Sequence, residues 1–572
     1  MTGTYDETPL AKVNRSLTVE QIRGRNLLFT TAVDALRLNP SVDIRARGPH
    51  GTQVDLSLRG GTFGQTLVLL NGRRLNDAQS GHHNFNLPLP LEAIEQVEVL
   101  SGAGSTLYGA DAVGGVVNLI TKAGREGSRP ELRLQSGLGN FGTNQQRGSL
   151  SGGWRNLSQQ LSFSRDFSTG FTENRDFRNL SLFSGTQLKS RFGTTGLDLG
   201  LTDKPFGAQG FYGNFPSWER TKAWYAALRQ SLGETTEAAF SYRRHTDVFV
   251  LRRFRPQDYM NHHTSQSWQA SLRRRSSLGA HALLHYGAEA FGDHIVSNNL
   301  GNHDRARAAA YANLDLRPTS RLSLSAGLRD EVVRGLPGQL NPTLAAGFVL
   351  LPQVKLRASL SRAFRLPTFT DLFYRDPANV GNPSLRPERS WSYEGGLDVY
   401  PLAQLRASAT VFHRRDRDVI DFARTPSDLI WRAENVQSLN FTGLETAFTY
   451  TFSNRLRGAV LDLRYTGLTA SQDLLPGLQS RYAFNYLRHS AQFGFTGQLG
   501  RQVVFRTRLG AYSRRGGQDY PNLDLFLARS QGLWRPFLQL SNLTNAAWQD
   551  IPGVLNPPRG ILGGVELLFR RK

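Results

Sequence analysis

The chain has 572 residues, no cysteine, and a formal net charge of +22 carried by 68 basic against 46 acidic residues, with arginine supplying nearly all the excess. Disulfides, thiolate metal sites and a cysteine nucleophile are therefore excluded. A membrane-spanning helix is excluded too, since the best apolar run, LAAGFVLL before Pro352, falls far short of the roughly 20 residues required.

The basic excess is spread evenly and no nucleic-acid module accompanies it, so no nucleic-acid partner is expected. It suits an anionic membrane surface, an arginine-lined cavity for an anionic ligand, or a coding bias toward arginine. With 57 glycines, 10% aromatics and a mean hydropathy of −0.39, the chain is polar on average yet rich in strand and turn formers. At this length it holds either several domains or one large closed β architecture.

The start, MTGTYDETPL, has neither a basic segment nor an apolar core, so this stretch is not expected to be a signal peptide. TTAVDALRLNPSVDI spaces Val33, Leu36 and Leu38 as a short helix that Pro40 stops. VDLSLRGG alternates as a strand, and TLVLLNGRRL is a strand running into Asn71-Gly72, the strongest short hairpin signal. LEAIEQVEVLSG predicts one helical turn leading into a strand. In GAGSTLYGADAVGGVVNLITK, small residues precede a β-branched run, with no GK[ST] or GxGxxG of a phosphate loop. Residues up to about 125 thus form a compact α+β unit, and domains of 1–125 and 126–572 are expected.

Beyond Arg129 a period of two takes over. ELRLQSG puts Leu132 and Leu134 on one face, and LDLGLT does the same with Leu197, Leu199 and Leu201. In VFRTRLGAY, Phe505, Thr507, Leu509 and Ala511 share one face, expected to meet something apolar. Arg506 and Arg508 share the other, expected to meet water. The alternation persists to the C-terminus without visible helical insertions. Turn signals about 20 residues apart predict about 22 strands, a transmembrane β-barrel with a lumen wide enough to need a plug. GGVELLF alternates as the last strand, followed by a basic tail, Arg570-Arg571-Lys572.

These segments in order resemble the TonB-dependent outer-membrane receptors, above all the cobalamin-transporter branch and its siderophore-receptor relatives. The likeness runs through VDLSLRGG, TLVLLNGRRLND and IEQVEVLSGAGSTLYGADAVGGVVNLITK, then SRAFRLPTFTDLFYRDPANVGNPSLRPERSWSYEGGL, NFTGLETAF and FLQLSNLTNAAWQDIPGVLNPPRGILGGVELLF. It implies an all-β transmembrane barrel with an N-terminal α+β plug in its lumen. It also implies active import of a ferric siderophore or a corrinoid, without covalent chemistry, resident cofactor or metal. The implied partners are the TonB-ExbB-ExbD complex, the small-molecule ligand, and outer-membrane lipid and lipopolysaccharide around a monomer. On this likeness Gly104, Gly109, Gly114 and Gly115 admit close backbone approaches inside the barrel, and Val116, Val117, Leu119 and Ile120 build the plug's sheet.

The likeness also assigns a plug-barrel lock to Arg59 with Glu394 and Glu445, a buried charge that must be paired. At the second plug arginine of relatives this chain reads Ser101-Gly102-Ala103, so one arm of the lock is expected to be missing. Ligand contacts are expected on the plug apices, at Arg47, His50, Gln79, His82, His83, Asn84 and Phe85, and on barrel loops at Phe211, Tyr212, Trp218 and Tyr259. The alternative for those aromatics is an interfacial girdle or loop packing.

Adjacent histidines rarely share one metal without further ligands, no acidic run has calcium-loop spacing, and no metal site is expected. FRLP and NPSL resemble paired boxes of haem receptors, but residues 364–385 lack the histidine between them, which weakens haem uptake as the alternative to the main reading. A non-transporting adhesin or porin-like barrel is the other alternative. The energy-coupling box is expected upstream of Met1 together with a signal peptide. Glu7-Thr8-Pro9-Leu10 is a poor substitute, because Pro9 lacks the donor that strand addition uses.

Overall fold

The computed structural model describes residues 10–122, 128–436, 438–453, 456, 458–473, 477–483 and 485–570. The substitute coupling segment, apart from Leu10, and the last two residues of the basic tail lie outside these.

The N-terminal unit contains β1 (Leu17–Gln21), α1 (Ala32–Leu36), β2 (Val42–Ala46), β3 (Val54–Leu58), β4 (Thr66–Leu70), β5 (Arg73–Arg74), β6 (Ile94–Ser101), α2 (Ser105–Tyr108) and β7 (Gly115–Thr121). Helix α1 falls on the apolar spacing read from the sequence, and Thr31 and Asp34 close it with a capping box. β4 turns through Asn71 (φ 50°) and Gly72 (φ 77°) into β5. Two consecutive left-handed residues match the right-handed twist of the flanking strands. A 3-10 turn at Leu91–Ala93 leads into β6, as expected. One sheet runs in the order β1-β6-β7-β4-β5, with β4 and β7 parallel, while β2 and β3 form a separate hairpin.

Twenty-two of the described strands that follow make a closed antiparallel barrel, in which Gly560–Arg570 pairs with Glu131–Gly139. Closure leaves no unpaired sheet edge facing lipid, which is what a membrane requires of β-structure. In the strand Val503–Arg514, Leu509 is 40% exposed on the outer face and Arg508 4% exposed on the inner one. The inner face does not meet bulk water as the sequence suggested. Arg506 lies 3.6 Å from Glu20 of the plug, and Arg514 donates to Asp43 of β2 at 2.6 and 2.9 Å. The bore is filled by the plug, so luminal arginines find carboxylates instead of solvent.

Turns at one end of the barrel are short, whereas long excursions at the other end join Arg365 to Glu388, Arg417 to Ser438 and Ser541 to Gly560. Short periplasmic turns and long extracellular loops are the rule for such barrels. The first of these excursions corrects the expectation of no helix in the barrel. Phe369–Phe373 forms one helical turn because Thr368 and Asp371 cap it reciprocally, at 2.9 and 3.1 Å. Above the barrel the loops assemble a small sheet from Asn379–Val380, Trp431–Val436, Val419–Arg424 and Gln479–Ser480.

Candidate functional site: plug, barrel wall and plug apex

Arg59 follows β3 directly, in a left-handed conformation (φ 49°), and Gly60 continues the turn (φ 77°). A side chain at Gly60 would lie 2.7 Å from both Leu468 and Phe441 of the barrel, so the backbone here runs against the wall. That turn aims Arg59 outward. Its Nε and Nη2 donate to Glu445 at 2.7 and 2.6 Å, its Nη1 to Glu394 at 2.8 Å, and its guanidinium lies 4.1 Å over the Phe412 ring. Burial alone would lower the pKa of Arg59, but the two carboxylates outweigh it and raise it, so the group stays charged.

The arm expected to be missing is supplied from the other side. Arg357, on the barrel strand Val354–Arg365, donates to the second oxygen of Glu394 at 2.6 Å and lies 3.3 Å from Asp398. Gly102 leaves room for this arrangement, since a side chain there would lie 2.9 Å from Arg59 Nη1. The Ser16 amide also donates to Glu394, at 3.1 Å. Sequence reasoning missed Arg357, although strand alternation was a usable signal: Arg357 and Ser359 share the luminal face, and Ser359 pairs with Glu394.

The plug's glycines answer to close contacts. A side chain at Gly104 would lie 2.7 Å from Val116, at Gly114 2.7 Å from the Leu58 carbonyl, and at Gly115 2.4 Å from the Leu100 carbonyl. Gly109 ends α2 at φ 77°, where a side chain would lie 2.5 Å from Glu331 and 2.9 Å from Arg329 on the barrel wall.

At the apices, the predicted residues separate into several groups. Arg47, past the end of β2, pairs with Asp55 at 2.9 Å and is buried. His82 Nδ1 approaches the same carboxylate at 2.9 and 3.0 Å. Burial is the main cause holding the His82 pKa below its ordinary value, against the opposing pull of Asp55. Burial pushes Asp55 up, but Arg47 and His82 hold it at about 2. His50 is 3.7 Å from Asp166 and tilted against Phe177.

His83 turns away from His82 and approaches Asp247 at 3.3 Å, and Gln79 donates to that same carboxylate at 2.9 Å. Asn84 is tied internally, accepting from the Asp77 amide and donating to the Phe63 carbonyl. Phe85 is a correction: it is 5% exposed and packs in the plug's apolar core rather than standing free on the apex.

Among the barrel aromatics, Phe211 is likewise corrected. It is buried with Phe177, Phe206 and Val554, with Arg175 4.4 Å over its ring. Trp218 is the second correction of this kind: Ser217 and Glu219, its strand neighbours, are buried toward the lumen, so period-two geometry points Trp218 at the outer face. That direction fits the alternative reading, an interfacial girdle or loop packing. Tyr212 reaches inward, donating to Glu219 at 2.7 Å and accepting from Gln53 at 2.8 Å. Tyr259 accepts from Asn261 and Asn299 at 3.2 Å near the rim.

Residues that sequence reasoning did not single out complete the apex. Phe63 stacks on His82 with ring centres 4.1 Å apart, and Tyr482 meets both rings edge-on at 5.2 and 5.8 Å. Arg481 lies over Trp431 and Tyr482 at 5.7 and 5.4 Å. Together they form an aromatic and cationic surface between plug apex and outer loops, suited to a large, flat or anionic solute.

Two family models match in the order the fold shows. The TonB-dependent Receptor Plug Domain matches residues 9–116, and the TonB dependent receptor-like beta-barrel matches residues 133–549. The Vitamin B12 transporter BtuB of Vibrio vulnificus is 27% identical over 449 residues, covering 73% of this chain and 70% of that protein. Among solved structures, the siderophore receptor PirA of Acinetobacter baumannii superposes with a TM-score of 0.79 at 16% identity, covering 97% of this chain and 98% of that one. The FrpB iron transporter of Neisseria meningitidis superposes with a TM-score of 0.80 at 14% identity, covering 97% and 100%. With its plug seated inside a closed barrel and the barrel model spanning most of its length, this chain belongs to the TonB-dependent receptor family and resides in the bacterial outer membrane.

Proposed function

We propose that the chain imports a scarce, bulky nutrient, a cobalamin-like corrinoid or a ferric siderophore, with energy delivered from the inner membrane by TonB, ExbB and ExbD. The observation that carries this reading is the pinned plug: the bore is wide, yet it is closed by a domain whose seam with the wall combines apolar patches with buried ion pairs such as Arg59 with Glu394 and Glu445. Ion pairs between plug and wall exchange partners with water at less cost than an apolar core separates. Such a seam therefore suits a plug that must rearrange and return. The plug is taken as residues 1–125 and the barrel as 126–572. The protein acts as a monomer whose outer leucines and tryptophans face lipid and lipopolysaccharide, and ligand binding rather than covalent chemistry is its work.

The ligand binds on the extracellular side, over His82, Phe63 and Tyr482. Similarity to a vitamin B12 transporter in sequence and to siderophore receptors in fold supports both substrate classes. The deciding experiment is competition growth. A strain lacking its own receptors is complemented with this chain under limiting cobalamin and, separately, under limiting iron with defined siderophores. Rescue in one condition assigns the substrate, and rescue in neither overturns the import reading.

A further inference from the structure

The plug apex and the barrel wall share a second polar cluster that the transport reading does not use. His83 comes from the 3-10 turn Gly81–His83 of the plug, Glu219 from the barrel strand Pro216–Leu232, and Asp247 from its neighbour Thr236–Val250. One ligand atom from each lies within 4.8 Å of the others, and all three residues are buried. We propose that these three side chains bind a divalent first-row transition ion of the Zn2+ type, which ties the plug apex to two adjacent barrel strands.

Two observations carry this. Glu219 Oε1 and Asp247 Oδ1 are both buried without a hydrogen-bond donor among the described residues. The other oxygen of each is held in place, Glu219 Oε2 by Tyr212 at 2.7 Å and Asp247 Oδ2 by Gln79 at 2.9 Å. Each positioned carboxylate thus keeps one oxygen without a donor beside His83 Nε2, which lies 3.3 Å from Asp247 Oδ2, and a buried acceptor left unmatched is costly.

The donor set is chemically suitable as well. One imidazole and two carboxylates make three protein ligands, leaving an open position for water, which is the composition such ions accept. His83 presents Nε2 toward Asp247, while its Nδ1 lies 3.3 Å from the Asn86 amide.

The test uses the full chain, purified in detergent, stripped with chelator and titrated with Zn2+ against a chromophoric competitor. X-ray absorption is then recorded on the Zn2+-loaded wild type. One bound equivalent per chain is expected, with a first shell containing a single imidazole and otherwise oxygen. Glu219→Gln and Asp247→Asn are each expected to lose that equivalent while keeping the heat-modifiable gel mobility of a closed barrel. His262→Ala and His294→Ala, at exposed histidines, are expected to keep it. The proposal is overturned by no equivalent in the wild type, by an equivalent that survives both carboxylate variants, or by loss in the surface-histidine controls. Should a carboxylate variant not fold, the wild-type spectrum decides alone: a first shell with no imidazole or with several overturns the assignment.

Discussion

Arg59 and Glu445 meet through two parallel hydrogen bonds, at 2.7 and 2.6 Å, although 386 residues separate them in the chain. The Arg59 side chain is 1% exposed, so the pair joins plug to wall where little water can replace it. A planar guanidinium makes this fork to a carboxylate as an ammonium cannot.

Replacing Arg59 with alanine removes a buried cation from between two carboxylates. Breaking such a pair from one side costs about 3–5 kcal/mol. The plug is expected to loosen, seen as increased sensitivity of cells to large antibiotics and as conductance in planar bilayers. Arg59→Lys should recover part of the closure, because charge returns without the fork. Unchanged exclusion in Arg59→Ala would mean that the remaining contacts suffice.

Gly109→Val should damage the same closure by another route. The residue must adopt φ 77° and place its new atoms 2.5 Å from Glu331 on the wall. Left-handed strain and overpacking each cost about 1–3 kcal/mol. Limited proteolysis of the plug in outer-membrane preparations would register this, and a proteolysis pattern identical to wild type would refute it.

Tyr482→Ala and Trp218→Ala distinguish the apical surface from the outer girdle. Tyr482 packs on Phe63 and His82, so its loss should weaken binding of the growth-supporting nutrient by about tenfold, or about 1.4 kcal/mol. Trp218 faces outward, and its loss should leave affinity unchanged. Equilibrium binding to whole cells measures both. Equal effects would place the ligand elsewhere.

Acid should release the β2-β3 apex before the barrel. The pKa of Asp55 is depressed to about 2 in the folded protein from an ordinary 3.8, by Arg47 and His82 acting against burial. A depressed carboxylate contributes its stability fully above its unfolded pKa and loses it as pH falls through the folded one. The window is therefore about pH 4 down to about 2, and the contribution is on the order of 2 kcal/mol. Asp55→Asn should flatten the acid limb of plug unfolding, followed by fluorescence of a label on the apex.

Much of this architecture was legible in the order of residues. Period-two alternation determined that the strands have one apolar face, because successive side chains on a strand must point oppositely whatever surrounds them. Asn71-Gly72 determined a hairpin, because left-handed backbone is cheap only for such residues. The lock was legible at Arg59, Glu394 and Glu445 through likeness of motif, and the fold brings all three together.

What those faces meet was decided only by the tertiary structure. Alternation says that Arg506 faces inward, but not that a plug glutamate waits there. Nothing local says that Arg357 fills the arm vacated at Ser101-Gly102-Ala103, or that Phe85 belongs to a core while Phe63 lies beneath Tyr482. Still less does it bring His83 to Glu219 and Asp247, which lie far along the chain. Local propensity acts over a few residues, whereas pairing a buried charge is a condition on the space around it. That space exists only once the barrel has closed around its plug.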